Sequence, residues 1–173
     1  MKRKIYQKML EWKTVSNGKS ALLIDGARRV GKSYIAEAFA KHEYEAYLLI
    51  DFATVTKDVK RYFNDYLEDL DTFFMYLLGA YKVNLPTRKS VIIFDEVQRF
   101  PRAREAIKYL VADGRYDYIE TGSLISINNN LSIVCRKTKR YDEAIKLAKR
   151  AIELLPGNDE VEQTLRDAQN HAP

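Results

Sequence analysis

The sequence predicts an α/β fold, a parallel sheet flanked by helices, followed by a C-terminal all-α helical hairpin and cap. Three observations lead there. Short apolar runs alternate with helix-period segments up to about residue 121. A glycine-flanked stretch, GARRVGKS, stands between the first apolar run and a helical pattern. Of the 20 Phe, Tyr and Trp residues, all but Tyr141 precede residue 128, so the composition changes at Asn128, Asn129 and Asn130.

Each element has its own signal. Ile5, Met9 and Trp12 share one face of an opening helix that closes around Asn17 and Gly18. Ala21 to Asp25 is the first strand, and Lys32 to Lys41 a helix with Ile35, Ala36, Phe39 and Ala40 on one stripe. Tyr47 to Phe52 is the second strand. Two amphipathic segments follow, Val59 to Tyr66 and Leu70 to Tyr81, and Pro86 ends them. Ser90 to Phe94 is a third strand, apolar enough to be buried on both faces. Pro101 suits the first turn of the next helix, Gly114 stops it, and Tyr116 to Thr121 is the fourth strand. Strands joined by helical crossovers form a parallel sheet covered on both sides, with its ligand site at the carboxyl ends of the strands.

Composition narrows the classes. The chain has 173 residues, 46% hydrophobic and 31% charged, which is ordinary globular material. Its net charge of +5 suits a polyanionic ligand or a solvated surface equally, and the densest basic patch, Lys2, Arg3, Lys4 and Lys8, is no groove for nucleic acid. The single Cys135 excludes an internal disulfide and a Cys-based metal site, and His42 and His171 match no ligand spacing. No stretch has the apolar length of a signal peptide core or a membrane span, so the expectation is a cytoplasmic protein with no membrane partner.

Gly26, Gly31, Lys32 and Ser33 have the G-x-x-x-x-G-K-S spacing of a P-loop, with the required strand before and helix after. Such a loop turns backbone N–H groups toward one point, where the helix N-terminus adds partial positive charge for a phosphate. The nucleotide-binding stretch is therefore Gly26, Ala27, Arg28, Arg29, Val30, Gly31, Lys32, Ser33 and Tyr34, in a P-loop NTPase sheet. Lys32 reaches the β- and γ-phosphates, and the Ser33 hydroxyl takes a place on Mg²⁺. VIIFDEVQ delivers Asp95 to the Mg²⁺ shell and Glu96 to polarise the attacking water. YDYIETGS brings Glu120, Thr121 and Ser123 to the same end of the sheet, where Thr121 orients the water or touches the γ-phosphate; Thr-Gly-Ser is also ordinary turn chemistry.

GARRVGKS, VIIFDEVQ and YIETGS, in that order, resemble Walker A, Walker B and sensor 1 of the prokaryotic AAA-type ATPases that bear a C-terminal domain of unknown function. The resemblance covers about residues 1–127 and implies an incomplete AAA core with ATP and Mg²⁺ as cofactors. It also accounts for Arg28 and Arg29, since loops of this group carry arginine or glutamine beside the second glycine. A fifth strand, a helical lid with sensor 2 and an arginine finger are not recognisable, which implies a truncated core and weak hydrolysis.

Residues 128–159 resemble one tetratricopeptide repeat, with Leu131 and Ser132 in its first helix, Tyr141, Ala144 and Ala151 in its second, and Pro156 at the closing turn. The pattern's tryptophan is missing, and an ordinary helical hairpin fits as well. Glu160 to Asn170 is a capping helix. A lone repeat must lean on the rest, so the tail is expected to cover a sheet edge, formed by strand one or strand four. The whole is a two-part chain, 1–127 and 128–173, whether a natural fusion, a truncation or an artificial join. The function read from it is an ATP-binding protein of the AAA type with Mg-dependent hydrolysis. The alternative is a nucleotide-binding relic that docks a protein or peptide through residues 128–173. The absence of Asn-Lys-x-Asp disfavours a GTPase, and the Asp95-Glu96 pair favours water over a substrate hydroxyl, against a small-molecule kinase.

Overall fold

The computed structural model describes residues 4–27, 29–122, 135, 139–154 and 159–170. The chain divides into two compact units, Met1–Gly122 and Ser123–Pro173. In the first, the order is α1 (Lys4–Ser16), β1 (Leu22–Asp25), α2 (Lys32–Glu43), β2 (Ala46–Asp51), α3 (Lys57–Asp65), α4 (Leu70–Tyr81), β3 (Ser90–Asp95), a 3₁₀ turn (Val97–Arg99), α5 (Pro101–Asp113) and β4 (Asp117–Gly122). Every expected strand and helix of this part is present within a few residues. The 3₁₀ turn was not expected.

The four strands are parallel in the order β1-β4-β3-β2. β4 is therefore interior, and among the described residues the edges are β1 and β2, which corrects the expectation that strand four is an edge. The reason is handedness. A right-handed crossover returns a helix to one face when the chain winds one way and to the other face when it winds back. From β1 the chain crosses through α2 to the far edge, then returns through α3, α4 and α5 on the opposite face.

Two cores follow from that winding. On one face Ile24, Val91, Ile93 and Ile119 pack against Met9 of α1 and Ala36, Phe39 and Ala40 of α2. On the other, Ile50, Phe52, Phe94 and Tyr118 pack against α3, α4 and α5. Here the aromatic wealth of the sequence is used: Phe63 meets Phe52, Phe73, Phe94 and Phe100 at 5.0–5.8 Å between centroids. All residues of β3 and β4 are buried, as strands covered on both faces must be.

In the second unit α6 (Tyr141–Leu154) packs against α7 (Asp159–Asn170). Ala144, Ala148 and Ala151 are buried at helical spacing on α6, and Val161, Thr164 and Ala168 on α7. Ala144 and Ala168 share a small core with Cys135, whose thiol burial holds above the ordinary range. Asn128, Leu131, Ser132 and Pro156 lie outside the described residues. Among those described, no helix is long and apolar enough to cross a membrane.

Candidate functional site at the strand ends

The turn from β1 into α2 is built by Gly31, whose φ of 85° is open to glycine at little steric cost. No side chain caps α2, so its first-turn N–H groups stay directed into the loop. Lys32, only 8% exposed, donates from Nζ to the carbonyls of Gly26 (3.1 Å) and Ala27 (2.8 Å). These acceptors are neutral, and among the described residues Lys32 forms no ion pair with a carboxylate. Its charge therefore stays uncompensated beside the α2 N-terminus. Arg29, with φ 63°, and the exposed Val30 and Tyr34 surround the loop. Arg28 lies outside the described residues.

Asp95 ends β3 and is 8% exposed. Its Oδ1 accepts from Ser33 Oγ at 2.7 Å, joining residues 62 apart in sequence, and from Thr121 Oγ1 in a short contact. The N–H of Glu96 donates to Thr121 Oγ1 at 3.3 Å. Ser33, Asp95, Glu96 and Thr121 thus form one connected group, and Lys32 adjoins it in sequence. This arrangement follows from the sheet order, which sets β4 between β1 and β3.

Glu96 adopts φ 53°, a left-handed conformation that a non-glycine residue occupies at a cost of about 1–3 kcal/mol. Its carboxylate turns back onto the 3₁₀ turn: Oε2 accepts from Gln98 Nε2 at 2.6 Å and lies 3.9 Å from Arg99 Nε. Gln98 is buried. Sequence reading missed these partners, because nothing in VIIFDEVQ signals a 3₁₀ turn that folds residue 98 back onto residue 96.

Glu120 does not join the group. It pairs with Phe94 across the sheet, and its Oε2 lies 3.6 Å from Arg104 Nη1 of α5. Burial pushes its carboxyl up from the ordinary value, with Arg104 acting the other way. Alternation along a strand explains the separation of adjacent residues 120 and 121. Ser123 lies outside the described residues.

A protein-family model described as an AAA domain matches residues 18–147, more than half of the 173-residue chain. The chain belongs to this AAA-domain family. The match begins at Gly18, includes the whole sheet of the AAA domain and runs into α6. No curated protein and no solved structure matches the chain. Membership makes it an AAA-type nucleotide-binding protein, with the P-loop type of fold seen in its parallel sheet.

Proposed function

We propose that the AAA domain binds ATP with Mg²⁺ on residues 26–34 and hydrolyses it slowly. The observation that carries this reading is the meeting of Ser33 Oγ and Asp95 Oδ1 at 2.7 Å beside a glycine turn that opens a helix. The donor set fits the cation. Mg²⁺ prefers oxygen ligands and commonly takes one or two from protein, the rest from water and phosphate. A hydroxyl and a carboxylate supply such a pair, and among the described residues no cluster of three or more His, Cys, Asp or Glu offers a different metal site. Bound there, the ion neutralises charge on the phosphate oxygens.

The remaining roles belong to the chain itself. The N–H groups of Gly31, Lys32, Ser33 and Tyr34 cradle phosphate, and Gly26, Ala27, Arg28, Arg29 and Val30 complete the loop. Lys32 supplies positive charge to the β- and γ-phosphates. Thr121 holds Asp95 in place and, through the Glu96 N–H, sets the start of the 3₁₀ turn. Glu96 is the base for the attacking water. Its hydrogen bond from Gln98 and its ion pair with Arg99 must loosen before it can act, which favours slow turnover and supports a second reading, nucleotide binding without hydrolysis.

Calorimetric titration of ATP into the full chain, with and without Mg²⁺, tests binding, and phosphate release tests turnover. Asp95→Asn should lose the Mg²⁺-dependent gain in affinity. Glu96→Gln should bind as the parent does and release no phosphate. An Asp95→Asn protein with a full Mg²⁺ response would refute the metal assignment. A parent that binds and releases nothing supports the second reading.

A further inference from the structure

We propose a second anion site at the opposite end of the sheet, one that takes a small phosphorylated molecule. It is a shallow cavity of about 620 Å³ lined by Asn17, Gly18, Lys19, Arg88, Lys108 and Gly114, with Val111 and Ala112 as an apolar wall. These residues precede β1, β3 and β4 or lie on α5, whereas the loop of residues 26–34 follows β1. The site therefore stands independently of the ATP reading.

Three features point to an anion. The lining contains three cations and no carboxylate. Arg88 is neutralised by Asp117, whose Oδ1 lies 3.1 Å from Nη1, but Lys19 and Lys108 have no ion-pair partner among the described residues. Both are exposed, and Lys108 Nζ lies 4.6 Å from the Tyr109 ring centroid, which leaves its charge intact.

The floor is also pre-organised. The Arg88 guanidinium lies against Gly18 and donates to Gly114 O (3.3 Å), Asp117 Oδ1 (3.1 Å) and Asn17 Oδ1 (3.5 Å). Those bonds use three of the five donors of a guanidinium. Tyr44 Oη donates to the other Asp117 oxygen at 2.6 Å, fixing the pair from beneath. Asn17, with φ 44°, is the left-handed residue that closes α1, and Arg88 holds φ 62°. The aliphatic wall beside two free ammonium groups suits a phosphate carried on a small organic body.

The test uses the full chain carrying Lys32→Met, which removes the main cation of the other loop. Inorganic pyrophosphate is titrated by calorimetry, with amide shifts followed by NMR and sulfate at matched ionic strength as control. The expected result is one pyrophosphate site with shifts concentrated at residues 17–19 and 112–114. Adding Lys19→Ala and Lys108→Ala should weaken it about tenfold for each cation removed, with thermal unfolding unchanged. No binding, binding equal to that of sulfate, or binding unmoved by the two alanines overturns the proposal. Tight binding of duplex DNA through the same lysines, without competition by pyrophosphate, overturns it in favour of a nucleic-acid surface.

Discussion

Replacing Lys32 by methionine removes a charge and three donors while keeping the stem that packs at 8% exposure. In the free protein the ammonium donates to the Gly26 and Ala27 carbonyls at 3.1 and 2.8 Å. Losing those two bonds costs roughly 0.5–1.5 kcal/mol each. The cost is offset by no longer burying a charge, and Ala27 is exposed enough for water to reach its carbonyl. Stability should stay within about 1 kcal/mol of the parent. Binding is affected differently. A charge-assisted bond to phosphate contributes about 1.5–3 kcal/mol, and contacts to two phosphates would give twice that. The ammonium must first release its two carbonyls, so roughly 2–3 kcal/mol remains, or about 30- to 150-fold in affinity. Calorimetry with Mg-ATP reads this directly, and urea unfolding of the same sample checks the fold. An affinity within threefold of the parent, on a protein with an unchanged midpoint, would refute the assignment of Lys32 to the phosphates.

Gly18→Ala should be poorly tolerated, because φ is 80° there and a Cβ would run into the Arg88 guanidinium, with its central carbon at 2.6 Å. The left-handed penalty alone is about 1–2 kcal/mol, and a thermal melt should show the loss. Glu120 gives a pH test. Its folded pKa is raised above the ordinary 4.5, so its contribution to stability is fully present below that value and is lost as pH rises through the folded pKa. The urea midpoint should fall over this interval in the parent, and Glu120→Gln should remove that part of the slope. On α6, Ala144→Leu would force three further carbons into a core shared with Cys135 and Ala168, lowering stability by about 1–3 kcal/mol in far-ultraviolet melts.

Which strands and α-helices residues 4–122 form, to within a few residues at their ends, was legible from the chain alone. Apolar runs such as Ser90–Phe94 and the stripe Ile35, Ala36, Phe39, Ala40 are local patterns, and the buried positions of β3 and α2 match them. The glycine spacing before Lys32 likewise depends only on neighbours in sequence. The order of the strands depends on how helices distribute over two faces, and that put β4 inside the sheet rather than at its edge. The same long-range choice decided the polar partners. Ser33 meets Asp95 across 62 residues, Thr121 meets Asp95 across 26, and Tyr44 meets Asp117 across 73. YIETGS brought Glu120 and Thr121 to the same end of the sheet with a role for Thr121 alone, and the pleat sends Glu120 to Arg104 and Thr121 to Asp95. Even the close pair Glu96 and Gln98 required the structure, because a left-handed φ at a glutamate is imposed by its surroundings and carries no signature in composition or period.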